Sequence, residues 1–232
     1  MKFSIVIPAH NESEYISRTI KSVLEQDCPR KDFEIIVVDN NSEDNTADIA
    51  KSAGADKVVR ETDQGTNIAR QRGVRESDGG VVAFLDADSR PPKNWLRKIE
   101  SNLSVGGVVA VSGPYRYTSF KLRGALERNF YRIAPIFVDV LSSITRIHGA
   151  IIIGGNFAAW RWAIDKVGGL PPLRFWGDDA AIAMVLSRKA GEVIFDQTMT
   201  VQSSARRFKK TAPITLVLKY IWYYLKMFLK KY

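Results

Sequence analysis

Cysteine occurs once in 232 residues, as Cys28, so no disulfide can form within the chain and a reducing compartment is expected. Histidine occurs twice, and neither has a second ligand at metal-binding spacing, which argues against a zinc site. No secretory leader is expected, because the apolar run from Phe3 to Pro8 is short and ends in proline. Internal repeats and low-complexity linkers are absent too. What the chain does hold is ordinary for a folded protein: 45% hydrophobic and 25% charged residues, with enough length for one large domain. Its net charge of +9 fits two kinds of partner, nucleic acid or the anionic face of a membrane.

Hydrophobic patterning predicts alternating strands and helices. Phe3-Ser4-Ile5-Val6-Ile7-Pro8 and Phe33-Glu34-Ile35-Ile36-Val37-Val38 read as buried strands, as do 80–85 and 108–112. Helical spacing separates them over 13–26, 44–53, 65–76 and 92–103, the last with proline in its first turn. Near-continuous apolar strands in a βαβα order predict an α/β fold with a mostly parallel sheet covered on both faces. After Gly113 the rhythm changes. One or two helices, broken near Pro135, are expected over 120–146, a helix over 178–189, short strands over 192–196 and 199–202, and a last helix over 213–231. The expected organisation is one domain over 1–210, divided into halves 1–113 and 114–210, followed by a C-terminal helix over 211–232.

In open α/β sheets, ligands bind beyond the carboxyl ends of the strands. Three such ends carry polar clusters: Pro8-Ala9-His10-Asn11-Glu12, Asp39-Asn40-Asn41-Ser42 and Asp86-Ala87-Asp88. Each alone reads equally well as turn chemistry. Two carboxylates two residues apart, just past a buried strand, can reach one divalent cation, and such a cation can neutralise a diphosphate leaving group.

The run Ile5-Val6-Ile7-Pro8-Ala9-His10-Asn11-Glu12, with Glu34 to Asp39, Ser42 to Thr46, Gly65, Ala69-Arg70, Gly73 and Phe84 to Asp88, resembles glycosyltransferase family 2. Gly155-Asn156-Phe157-Ala158 with Arg161, and Val167-Gly168-Gly169-Leu170, are similar to that family's acceptor-side half. The resemblance implies a GT-A fold and inverting transfer of a sugar from a nucleotide-diphosphate donor, with Mg2+ or Mn2+ as cofactor. It places Pro8, Ala9, Asn11, Glu12 and Asp39 around the nucleoside, Gly65 and Arg70 on the donor side, and Asp86 near the ribose and diphosphate. Asp88 becomes the principal metal ligand, with Asp86 beside it. It also puts the catalytic base at Asp179 of Trp176-Gly177-Asp178-Asp179, with Asp178 replacing the usual glutamate. Read from the residues alone, either aspartate could instead be an N-cap, and Arg70 could be a helix-surface charge. His10 stands where tyrosine is frequent, so lining the base pocket is its expected role.

Ser203 to Lys210 is the densest basic stretch, and Arg206 and Arg207 resemble an arginine pair of some family members. They, with Asn156 and Asp178, are expected contacts to diphosphate or acceptor. In the last helix, Lys219, Tyr223, Lys226 and Lys230 fall on one stripe, while Trp222, Leu225, Phe228 and Leu229 are expected to enter an acyl boundary. From Ile214 to Leu229 such a helix is roughly 24 Å long and interrupted by lysines, which suits an in-plane surface helix better than a crossing. The expected setting is therefore the cytoplasmic membrane face, with a lipid-linked or polyprenyl-phosphate acceptor. The alternatives are a soluble enzyme acting on a saccharide or protein, whose last helix forms a homodimer contact, and a non-catalytic module. The basic residues carry no recognisable nucleic-acid motif, so no nucleic-acid partner is expected.

Overall fold

The computed structural model describes residues 2–117, 132–138, 140, 142–143, 150–171, 178–206, 221–226 and 228–229. Strands are β1 (Phe3–Ala9), β2 (Phe33–Asp39), β3 (Lys57–Arg60), β4 (Val81–Leu85), β5 (Ser89–Arg90), β6 (Val108–Ser112), β7 (Tyr115–Tyr117), β8 (Asn156–Trp160), β9 (Glu192–Phe195) and β10 (Val201–Ser203). The helices that position the site are α1 (Ile16–Leu24), α2 (Thr46–Ser52), α3 (Thr66–Arg75) and α4 (Trp95–Leu103). They are followed by α5 (132–138, with 140 and 142–143 also helical), α6 (Arg161–Lys166), α7 (Asp178–Lys189) and α8 (221–226, with 228–229 also helical).

Seven strands form the main sheet in the order β3-β2-β1-β4-β8-β6-β9, and β5-β10-β7 form a second, smaller sheet. In the main sheet every pairing is parallel except those of β8, which runs antiparallel to both β4 and β6. The strands are apolar on both sides because both faces are covered. Ile5, Ile7, Ile35 and Val37 pack with α1, α2 and α4 in one cluster, while Val6, Ile36 and Val38 pack with α3, α6 and α7 in another. That alternation is the period-two geometry of a strand, with each fully buried Ile or Val contributing roughly 1.5–3 kcal/mol. A third cluster joins Val138 of α5 and Ala180, Ala181 and Met184 of α7 to Tyr224 and Phe228.

The α/β sheet expected from the patterning is present. Residues 132–138 are helical through Pro135, so among the described residues the expected break there does not occur. A proline removes one N–H from a helix without obliging it to end. In the last helix, Phe228 is 1% exposed and packs with Tyr224 into the protein, so it does not face outward as expected. Lys226 and Trp222 share the exposed face instead, with the ammonium 5.2 Å from the ring centroid. Lys219 and Lys230 lie outside the described residues.

Candidate active site

β1, β2 and β4 end side by side, so Ala9, Asp39 and Leu85 deliver the three polar loops to one edge of the sheet. β8 runs the other way, and its first residue, Asn156, pairs with Leu85 at the end of β4. The segment before β8, Gly154–Gly155, therefore joins the same edge. The site is made of these four loops together with the start of α7.

The loops that follow β1 and β2 are held largely by one another. The Asn11 N–H donates to Ser42 Oγ (3.0 Å), the Glu43 N–H to Asn11 Oδ1 (2.8 Å), and the Glu12 N–H to Thr46 Oγ1 (2.8 Å). Asn11 holds a positive φ of 54°, which asparagine tolerates better than most residues. Asp39 is buried and accepts the Ser42 N–H, and Asn40 Oδ1 receives the N–H of Gly65 at the start of α3. Pro8 and Ala9 close β1, and His10 Nδ1 lies 2.9 Å from the Asn40 carbonyl oxygen.

Deeper in the site, Arg70 is buried rather than a helix-surface charge, with its side chain 4% exposed. Its guanidinium donates to Asp86 Oδ1 (3.2 Å), Asp178 Oδ2 (3.3 Å) and Asp179 Oδ1 (3.5 Å), and to Asn67 Oδ1 (3.3 Å). The Tyr115 hydroxyl donates to the other oxygen of Asp86 at 2.7 Å. Burial, then the Asp86 charge, pushes the phenol well above its ordinary value, which keeps it a donor. Three carboxylates on one guanidinium leave an excess of negative charge. Asp179 accepts the Gly154 N–H, and burial followed by the charge of Asp178 pushes its carboxyl up to about 7 against the pull of Arg70. At that value the group both takes and releases a proton near neutrality.

Gly154 and Gly155 explain how β8 approaches so closely. A Cβ on Gly154 would lie 2.1 Å from Asp179 Oδ1, and one on Gly155 would lie 2.0 Å from the Tyr115 hydroxyl and 2.1 Å from Asp86 Cγ. Sequence reasoning missed Tyr115 and Gly154. The Gly-Gly pair just before a buried strand was the available signal for a close backbone approach.

The second charge cluster is built on a more exposed arginine. Arg206 Nε is 3.1 Å from Asp88 Oδ2, its terminal nitrogen pairs with Glu12, and its guanidinium lies 4.8 Å from the Tyr15 ring centroid. Burial is the largest influence on Glu12 and raises its pKa, assisted by Asp88 and Asp86 and opposed by Arg206. Glu12 Oε2 is buried with no hydrogen-bond partner among the described residues. A cavity of about 110 Å³ adjoins Asp88 between α1 and β10, lined in part by Arg18, Arg90 and Ser203.

Not every expected residue reaches the site. Asn156 is fully buried, and its amide is bound to Trp95 Nε1, the Pro114 carbonyl and the Met199 carbonyl. It fixes the start of β8 and offers nothing to a ligand in this arrangement. Arg207, with Trp176 and Gly177, lies outside the described residues. No cluster of three or more His, Cys, Asp or Glu placed to hold a metal occurs among the described residues.

The family model for glycosyl transferase family 2 matches residues 4–168. Glycosyltransferase AglE of Haloferax volcanii is 37% identical over 176 residues, which is 66% of this chain and 58% of that protein. A dolichol-phosphate mannosyltransferase of Pyrococcus furiosus is 28% identical over 158 residues, 66% of this chain and 40% of that protein. Among solved structures, the mannosyltransferase PcManGT from Pyrobaculum calidifontis, in complex with GDP-Man and Mn2+, superposes with a TM-score of 0.76 at 22% identity. That match covers 97% of this chain and 62% of the other, so the present chain is shorter than each of these relatives.

Proposed function

The chain belongs to glycosyl transferase family 2, and on that premise we propose that it transfers a sugar from a nucleotide-diphosphate donor to an acceptor hydroxyl with inversion. The observation that carries this reading is Asp179, a half-buried carboxyl raised to about 7 and joined to Asp86 through one guanidinium. In the proposed step the acceptor oxygen attacks the anomeric carbon while Asp179 takes the hydroxyl proton. The bond to the diphosphate oxygen breaks, and the electron pair leaves with the nucleotide. A single displacement of this kind inverts the carbon.

Pro8, Ala9, Asn11, Glu12 and Asp39 are proposed to surround the nucleoside, with Gly65 fixing the entry to α3. Arg70 is proposed to hold Asp86 and the base in register, and Tyr115 to fix the second Asp86 oxygen. Asp178 shares Arg70 and supports Asp179. The donor set also suits a divalent cation. Asp88 already attracts a cationic group, and Glu12 Oε2 lacks a hydrogen-bond partner among the described residues. Mg2+ and Mn2+ are commonly held by one or two carboxylates plus substrate phosphates, so a larger protein cluster is not required. Asp88 is the proposed principal ligand, with Asp86 beside it, and bound Mg2+ or Mn2+ would offset charge on the departing diphosphate. Arg206 is placed to meet the same diphosphate once it leaves Asp88.

For the acceptor we propose a lipid-linked group such as a polyprenyl phosphate, presented at the cytoplasmic face of a membrane on which α8 lies in plane. Support comes from the dolichol-phosphate mannosyltransferase relative and from the exposed Trp222, Lys226 and Leu229. Among the described residues no helix is long and apolar enough to cross a membrane. A thermal-shift panel of GDP-mannose, UDP-glucose and UDP-N-acetylglucosamine, each with and without Mn2+ or Mg2+, tests the donor reading. One donor should raise Tm by mass action, and more so with metal. A flat response to every nucleotide sugar would contradict it.

A further inference from the structure

α5 points its apolar side away from the protein. Ile133, Ile136, Phe137 and Val140 are 62%, 62%, 49% and 51% exposed, while Val138 is buried against α7 and α8. At 100° per residue the four exposed positions span about 100° of arc, on the side of the helix away from Ala134 and Val138. Helices packed on a globular core bury such a stripe. α8 repeats the arrangement, with Tyr224 and Phe228 turned inward and Trp222, Lys226 and Leu229 outward at i, i+4 and i+7. Both helices pack on α7 within one cluster, and α7 begins with Asp178 and Asp179.

We propose that α5 and α8 together form one docking surface for an anionic lipid bilayer, with α5 contributing the larger apolar share. This rests on the membrane reading of the acceptor given above, which invoked α8 alone. Charge decides the occupant. Arg132 on α5 and Lys226 on α8 are both exposed, and the chain carries +9 overall. A second copy docked face to face would bring these like charges together, because a two-fold contact uses the same patch on both subunits. Lipid head groups of negative charge meet them favourably, while Ile, Phe and Trp side chains enter the acyl boundary. α7 then links the surface to the base, so an acceptor anchored in the bilayer arrives on the side where Asp179 stands.

The test is flotation of the full chain with vesicles of phosphatidylcholine alone or mixed with phosphatidylglycerol. Wild type should float with the mixed vesicles and more weakly with phosphatidylcholine. The double substitution Ile136→Glu with Phe137→Glu should lower binding about a hundredfold, since two large apolar side chains no longer enter the bilayer. The milder pair Ile136→Ser with Phe137→Ser should fall in between. Both should keep the wild-type thermal shift with donor nucleotide, which shows that they fold. Trp222→Glu gives the α8 comparison. If Trp222→Glu releases the protein while both α5 variants bind as wild type does, the two-helix surface is wrong and the membrane reading through α8 survives. If wild type ignores anionic vesicles, both fall. A wild-type dimer by light scattering that the α5 substitutions make monomeric, with no vesicle binding, assigns the patch to self-association and overturns the proposal.

Discussion

The site contains two arginine–carboxylate clusters that look alike on paper and differ in how far the arginine is exposed. Arg70 is 4% exposed and ties together Asp86, Asp178 and Asp179 from two separate stretches of chain. Arg206 is 38% exposed and joins Glu12 to Asp88 at the edge of the cleft. Burial makes Arg70 a fixed post, because removing its carboxylate partners strands the guanidinium away from water. Arg206 is the exchangeable member of the second, because solvent and incoming ions reach its guanidinium even though Glu12 and Asp88 are only 12% and 13% exposed. The difference matches what each half of the proposed reaction needs. The base must stay in place through every turnover, whereas the donor and cation must enter and leave.

The sharpest way to break that contrast is to remove each arginine. Arg70→Met should cost about 3–5 kcal/mol in urea denaturation, because three neighbouring, half-buried carboxylates lose their shared cation, and Arg70→Lys should recover only part of it. A loss below about 1 kcal/mol would mean that Arg70 is no more fixed than a surface pair. Next in size is Gly154→Ala, whose Cβ would lie 2.1 Å from Asp179 Oδ1 and 2.5 Å from an Arg70 nitrogen. Overpacking there should cost about 1–3 kcal/mol, while Gly80→Ala, with open space around it, should stay within about 0.5 kcal/mol.

The buried cluster should also leave a pH signature. The folded value of Asp179, about 7, lies above the ordinary carboxylate value of 3.8. Between these two pH values the fold keeps a proton that the unfolded chain has released, so stability falls as pH rises through the window and levels above it. Asp179→Asn should remove that fall, which denaturation of both proteins at acid and mildly alkaline pH will show. The smallest effect belongs to Arg206→Ala. It should cost less stability than Arg70→Met, since the guanidinium it removes is 38% exposed. Without nucleotide it should tighten Mn2+ binding by roughly three- to tenfold, since Glu12 and Asp88 lose a resident cation. Unchanged Mn2+ affinity would show that Arg206 does not compete with the metal.

The N-terminal half of the fold was legible because its strands and helices alternate locally. Ile5 to Pro8, Glu34 to Asp39 and Phe84 to Asp88 each announce a strand and the polar loop at its end. The parallel order then brings those loops together without further information. The other half is assembled by long-range pairing that no local pattern encodes. β8 enters between β4 and β6 in the opposite direction, and only that reversal carries Gly154 and Gly155 to the site. Arg70 was ambiguous for the same reason, since its surroundings come from Asp178 and Asp179 more than a hundred residues later. Asn156 was misplaced because an amide that links three separate segments looks, in sequence, like one free to bind a ligand. Phe228 was assigned to the outer face because a helix that is apolar on most sides does not say which side its own domain will cover.

Asp179→Asn measures the central claim most directly, by separating donor binding from sugar transfer. The donor chosen by the thermal-shift panel is titrated with Mn2+, and transfer to a polyprenyl phosphate is followed at saturating donor. If Asp179 is the base, donor and metal affinity should stay within about twofold while the transfer rate falls at least about a hundredfold. A collapse of donor affinity with an unchanged rate at saturation would place Asp179 in the binding site and contradict the account.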